Sequence, residues 1–138
     1  MIPSFAVIPT SNRPQVCLRS IGAIAPQVDV VYVVDNGDQT PMPDPPDTSY
    51  INYYPIRYDR QGQIPNLSLI WNLGLEQIAA DMIAQGFEQW DVAILNDDAI
   101  VPEGWFDAVS ANMRATQSAA GCSGPVAGVL RDPGPVPI

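Results

Sequence analysis

Asp91-Val92-Ala93-Ile94-Leu95-Asn96-Asp97-Asp98-Ala99-Ile100-Val101-Pro102-Glu103-Gly104-Trp105-Phe106 is the stretch on which the fold turns. An unbroken apolar run, short enough to be a buried strand, delivers an amide and two carboxylates to its carboxyl end. A proline, an acid, a glycine and two aromatics then lead into a helix predicted over 104–116. Carboxylates packed this closely repel one another, so a positive partner is expected among them. In an extended chain residues two apart point the same way, so Asn96 and Asp98 are expected to share a target while Asp97 faces elsewhere. That donor set suits a hard cation such as Mg²⁺ or Mn²⁺. The plain alternative is an acidic turn that caps the following helix.

Working outward, the same grammar repeats. Ser4 to Pro9 reads as a buried first strand, followed by the polar turn Thr10-Ser11-Asn12-Arg13 and by Pro14, which suits a first helical turn with Ser11 or Asn12 as cap. Val28 to Val34 reads as a second strand, closed by Asp35-Asn36-Gly37. Thr40 to Thr48, with four prolines and two aspartates, reads as a surface loop. Tyr50 to Tyr54 is predicted as a third strand. A long helix is predicted from Leu67 to Gln85, with Leu69, Ile70, Leu73, Ile78, Met82 and Ile83 on one face, Trp71 and the leucines in the core, and Gly86 ending it. The Gly- and Pro-rich tail 121–138 holds one expected strand at 126–130. Continuous apolar strands alternating with helices predict a single α/β domain over 1–138, with a mostly parallel sheet flanked by helices. In such sheets ligands bind beyond the carboxyl ends of the strands, and that is where the polar punctuation falls.

Composition removes several chemistries. The 138 residues contain no lysine and no histidine, with six arginines against fifteen acids and a formal charge of −9. A histidine base, a Schiff-base lysine and a phosphate-loop lysine are excluded within this chain. Acid–base work falls to Asp, Glu, Tyr or Cys. Nonspecific nucleic-acid binding is disfavoured, since it needs a basic face. Cys17 and Cys122 match no zinc or redox spacing and read as buried thiols. No membrane span and no basic signal-peptide start are read, and a cytoplasmic location is expected. The Ala, Pro, Gly and Arg bias matches a GC-rich bacterial or bacteriophage genome.

Two motifs carry two readings each. Thr10 to Arg13 is either a helix cap or a nucleotide cradle of hydroxyl, amide and guanidinium groups. Asp35-Asn36-Gly37-Asp38 is either a tight turn or an Asp aimed at a base or ribose. A haloacid-type phosphatase would need aspartates two apart, and Asp35 and Asp38 are three apart. Asn66, Ser68 and Asn72 are polar near a helix start and are candidates to line the site. Trp105 and Phe106 read as packing at the corner into the last helix.

Four motifs stand in an order that resembles the inverting glycosyltransferase family 2 group with the GT-A fold. They are Val7-Ile8-Pro9-Thr10-Ser11-Asn12-Arg13-Pro14, Val33-Val34-Asp35-Asn36-Gly37, Asn66-Leu67-Ser68 through Trp71-Asn72-Leu73-Gly74, and Leu95-Asn96-Asp97-Asp98 with Pro102 and Trp105. The resemblance implies a GT-A-like fold and a nucleoside-diphosphate-sugar donor. It places Thr10, Asn12 and Arg13 near the nucleotide, Asp35 on the base, Asn72 near the diphosphate or sugar, and Asn96 and Asp97 on the nucleotide side. Asp98 becomes the main ligand of a divalent metal, Mn²⁺ or Mg²⁺, with Asn96 as the departure from a usual first Asp. The acceptor is unspecified, and the segment that supplies the acceptor site and catalytic base in the family is short or missing after Gly121. No catalytic base is assigned. Two functions from different classes are implied: a metal-dependent glycosyltransferase, or a non-catalytic nucleotide-sugar-binding module or half, completed by a second copy or another chain. A nucleotidyltransferase is disfavoured, because Thr10 to Pro14 has no glycine and a single arginine.

Overall fold

The computed structural model describes residues 2–44, 53–64, 66–116, 120–122 and 127–132, with the backbone alone at 120–122, 127 and 130–132. The elements are β1 (Ser4–Thr10), α1 (Pro14–Ile24), a 3₁₀ turn (Ala25–Gln27), β2 (Val30–Asp35), β3 (Tyr54–Arg57), α2 (Leu67–Ala84), β4 (Trp90–Leu95), α3 (Trp105–Thr116), β5 (Ala120–Cys122) and β6 (Ala127–Asp132). They form one six-stranded sheet of order β3-β2-β1-β4-β6-β5. β1 pairs in parallel with β2 and β4, and β2 with β3; β6 runs antiparallel to both β4 and β5. The α/β class and the mostly parallel sheet agree with the sequence.

Strand alternation divides the core into two layers. Ala6, Ile8, Val31, Val33, Ala93 and Leu95 pack with α1 and α3 on one face. Phe5, Val7, Tyr32, Val34, Trp90 and Val92 pack with α2 on the other. Both faces are covered, which is why the strands read as unbroken apolar runs. Among the described residues no helix is long and apolar enough to cross a membrane.

Helix ends follow local chemistry. Pro14 opens α1, its fixed φ suiting the first turn. Neither Ser11 nor Asn12 caps it: Arg13 holds the cap position without a side-chain cap bond. Asn12 is left-handed at φ 58, a conformation its short amide tolerates, and its side chain turns away to the 38–40 loop. The Asn66 side chain caps α2 by accepting from the Leu69 N–H at 3.2 Å. Gly86, at φ 84, ends α2 as expected. The Phe87 N–H reaches the Met82 carbonyl and the Gly86 N–H the Ile83 carbonyl, each at 3.0 Å, which is the Schellman pattern.

Several boundaries differ from the sequence reading. β2 starts at Val30, because Pro26 and Gln27 lie in the 3₁₀ turn. The third strand is Tyr54–Arg57, not 50–54; its register pairs Tyr54 with Tyr32 and Arg57 with Asp35. Pro55 is tolerated because β3 is a sheet edge. Residues 50–52 and 45–48 of the predicted strand and loop lie outside the described residues. The tail carries β6 at Ala127–Asp132 and a separate short β5 at Ala120–Cys122, where the sequence offers a strand from Gly121 to Gly128. Cys17 is a buried free thiol; the Cys122 side chain lies outside the described residues.

The contact face of α2 is narrower than predicted. Ile70, Gly74, Ile78 and Met82 are buried, a single line of fourth residues. Leu69 and Ile83 are 39% and 51% exposed, Leu67 is exposed too, and Trp71 is only half-buried. Gly74 explains the narrowing. A Cβ there would stand 2.2 Å from Val7 Cγ2 and 3.1 Å from Val34 Cγ2, so the helix backbone rests directly on the sheet. Trp105 and Phe106 are buried at the corner into α3, as the sequence predicts. The Gln27 amide ties that corner down, accepting from the Phe106 N–H at 2.8 Å and donating to the Pro102 carbonyl at 2.9 Å.

Candidate functional site at the strand ends

The chain runs outward from β1 through β2 to β3, then crosses back to place β4 on the other side of β1. Connections diverge at the carboxyl ends of β1 and β4, the position where open α/β sheets bind ligands. A cavity of about 320 Å³ opens there. Thr10, Ser11 and Arg13 come from the end of β1, Asn36 from the end of β2, and Asn96, Asp97 and Asp98 from the end of β4. Leu67 and Ile70, from the start of α2, supply an apolar wall.

The central contact lies just past the paired residues: β1 and β4 pair as far as Val7 with Ile94, and the segments beyond bring Thr10 and Asp97 together. Thr10 Oγ1 donates to Asp97 Oδ2 at 3.0 Å. Arg13 Nε donates to the same oxygen at 3.0 Å, and Arg13 Nη2 forms an ion pair with Asp97 Oδ1. The Asp97 carboxylate is nearly buried while the Arg13 side chain is half exposed. Hydrogen bonding and charge from Asp97, with a further contribution from Asp98, raise the Arg13 pKa above its ordinary value. Beneath this pair lies Cys17, whose thiol is pushed up to about 12, chiefly by burial.

The expectation that Asp97 faces away from its neighbours is corrected. β4 stops at Leu95, and the Ala99 N–H closes onto the Asn96 carbonyl at 3.1 Å. The period-two rule ends with the strand, so all three side chains line the cavity. Ser20 Oγ holds this turn from α1 by donating to the Ala99 carbonyl at 2.7 Å. Asp98 is exposed and has no hydrogen-bond partner among the described residues.

Other candidates sit behind the wall or off the cavity. Asp35 is 1% exposed. Its carboxylate accepts from the Gly37 N–H at 2.9 Å and the Met42 N–H at 2.7 Å, and pairs with Arg57. Asn12 Oδ1 accepts from the Gln39 and Thr40 N–H groups at 2.8 and 2.9 Å, while its Nδ2 donates to Asp38 at 3.0 Å. That bond, with one from Arg60, holds Asp38 below the usual carboxylate range. Asp35 and Asn12 therefore secure the 36–42 loop. Of the two readings of Asn36-Gly37, the tight turn built on a left-handed glycine is not adopted, since Gly37 has no positive φ. Gly37 is small because a Cβ would meet Asn12 Oδ1 at 2.7 Å and its backbone N at 2.8 Å. Asn72 is exposed on α2 away from the cavity, Ser68 is exposed, and Asn66 is spent on its cap. The sequence reading missed Asn36 as a cavity residue. Its place just past a strand end was the available signal.

Among the described residues no three His, Cys, Asp or Glu side chains gather as a metal group. Asp97 is engaged by Arg13, which leaves the Asp98 carboxylate with the Asn96 amide. That pair fits a hard cation drawing its other ligands from phosphate oxygens and water, as Mg²⁺ does with one or two carboxylates. The half-exposed Arg13 guanidinium and the exposed Asp98 carboxylate thus line one cavity. No protein-family model matches the chain, and no curated protein matches it.

Proposed function

We propose that the chain is the donor-binding unit of a metal-dependent glycosyltransferase of GT-A type. It would take a sugar from a nucleoside-diphosphate sugar and pass it, with inversion, to a hydroxyl acceptor. The observation that carries this reading is the cavity at the β1/β4 divergence, with Thr10 and Arg13 on one wall and Asn96, Asp97 and Asp98 on the other. Asp98, with Asn96 beside it, would hold Mg²⁺ or Mn²⁺. Such a cation, when bound, supplies Lewis-acid stabilisation of a departing diphosphate. Arg13 donates two of its five N–H groups to Asp97, which orients the guanidinium and leaves other donors for phosphate oxygens. In the transfer the acceptor oxygen bonds to the anomeric carbon. The bond from that carbon to the diphosphate oxygen breaks, and the nucleoside diphosphate leaves with the electron pair.

The acceptor proton needs a base, and here a second reading gains support. Asp97 and Asp98 are the only acids among the described residues that line the cavity. One is ion-paired and the other belongs to the cation. This favours a binding module, or a half completed by a partner that brings the base. Calorimetry of UDP, GDP and dTDP, each with and without Mn²⁺, tests the shared premise: metal-dependent binding of one of them is expected, and its absence under every condition refutes both readings. Sugar transfer or donor hydrolysis by the purified chain alone would decide for the enzyme.

A further inference from the structure

We infer that Ser20, in α1, is a positioning residue for the cation: its hydroxyl fixes the turn that presents Asn96 and Asp98 to the cavity, an inference that rests on the donor-site reading above. Asp98 makes no side-chain hydrogen bond among the described residues, so its place is set by its backbone. That backbone lies past the end of β4, where the strand ladder no longer holds it. Three anchors take over. The Ala99 N–H closes the turn onto the Asn96 carbonyl at 3.1 Å. On one side of Asp98, the Asp97 carboxylate is held by Thr10 and Arg13. On the other side, Ser20 Oγ donates to the Ala99 carbonyl at 2.7 Å.

Ser20 is fully buried. A serine inside a helix commonly bonds back to a carbonyl one turn earlier, which does little for stability. This hydroxyl instead reaches across to a turn 79 residues on. Ala99 and Val101 belong to the same core layer as Cys17, Ile21 and Ile24 of α1, so the bond is made away from water. Without the hydroxyl the buried carbonyl loses its donor, and an unmet carbonyl is driven towards water or a new partner. The turn then shifts, and Asp98, one residue away, shifts with it. A hard cation tolerates little error in ligand geometry, and groups that orient its ligands set its affinity. Gln27 holds the same segment farther along, at Pro102 and Phe106, and so secures the corner into α3 rather than the turn.

The test is calorimetry over a range of Mn²⁺ concentrations, with whichever of UDP, GDP and dTDP the 138-residue chain binds, on that chain and on its Ser20→Ala, Ser20→Cys and Gln27→Ala variants. Two values are read: the Mn²⁺ concentration for half-maximal binding, and the nucleotide Kd at saturating Mn²⁺. Ser20→Ala should raise the first about ten-fold and leave the second within about two-fold, as expected for a lost partner behind a metal ligand. Ser20→Cys, close in size and a weak donor, should fall between; it serves as the test should the alanine variant fail to fold. Gln27→Ala should lower stability in urea and leave the Mn²⁺ requirement within about two-fold, since its bonds lie beyond the turn. An unchanged Mn²⁺ requirement in both Ser20 variants overturns the assignment and leaves the donor site standing. So does a loss that persists undiminished at saturating Mn²⁺, or an equal shift in Gln27→Ala. No nucleotide binding by the unsubstituted chain, or binding that ignores Mn²⁺, refutes the metal-dependent donor site, and the assignment falls with it.

Discussion

Gly74→Ala and Gly22→Ala are the same chemical change in two helices of one sheet sandwich, and the structure gives them opposite signs. At Gly22 in α1 an added Cβ meets nothing within 4 Å. Alanine there should gain the helix preference that glycine lacks, about 0.5–1 kcal/mol. At Gly74 in α2 the same atom would stand 2.2 Å from Val7 Cγ2 and 3.1 Å from Val34 Cγ2. Ordinary carbon contacts lie near 3.5–4.0 Å, so helix and sheet must part by roughly 1.5 Å. Val7 and Val34 are fully buried and β-branched, so neither can rotate aside cheaply. Overpacking of this kind costs about 1–3 kcal/mol, and the clash is at the severe end. After subtracting the helix gain, a net loss of about 2 kcal/mol remains. For a chain of this length that lowers Tm by roughly 6–10 °C, while Gly22→Ala should raise it by roughly 2–4 °C. Urea titration and thermal melts followed by circular dichroism read both. A Gly74→Ala variant as stable as the parent would refute the direct helix-on-sheet contact. With it would go the explanation for why α2 buries so narrow a stripe.

The site itself sets further expected outcomes. Asp98→Ala should abolish the Mn²⁺ dependence of nucleotide binding in calorimetry, yet shift stability by no more than about 0.5 kcal/mol, because the side chain is exposed and unbonded. Arg13→Met leaves Asp97 buried beside Thr10 without its cation; a loss of about 1 kcal/mol in urea denaturation is expected, discounted because the guanidinium is half exposed. Cys17 should resist alkylation at pH 8 in the native chain and react on unfolding, since burial pushes its thiol up to about 12. The raised value favours the protonated, folded form. Its stabilising contribution is present below pH 9 and is lost as pH rises towards 12, at up to about 1.4 kcal/mol per pH unit. Cys17→Ala should make that alkaline decline shallower in melts run from about pH 8 to 11.

What the sequence alone determined is local or periodic. The apolar runs at Ser4–Pro9, Val28–Val34 and Asp91–Leu95 declare buried parallel strands because both faces of the sheet are covered. Gly86 ends α2, and Pro14 opens α1, through backbone geometry that a single residue imposes. The gathering of Thr10, Arg13 and the Asn96–Asp98 segment was legible too, since the loops that leave parallel strands all emerge at one edge of the sheet. Which side chains would be free there was not legible. Asp35 is consumed by Arg57 through the β2–β3 register, and Asp97 by Thr10 and Arg13 at the end of β1. Asn12 is consumed by a loop nearly thirty residues on. A carboxylate or amide takes whichever donor the tertiary register brings within about 3 Å, and such pairings leave no periodic trace. Only the folded sheet therefore decided that Asp98 and Asn36 remain open to the cavity while Asp35 and Asn12 hold its wall.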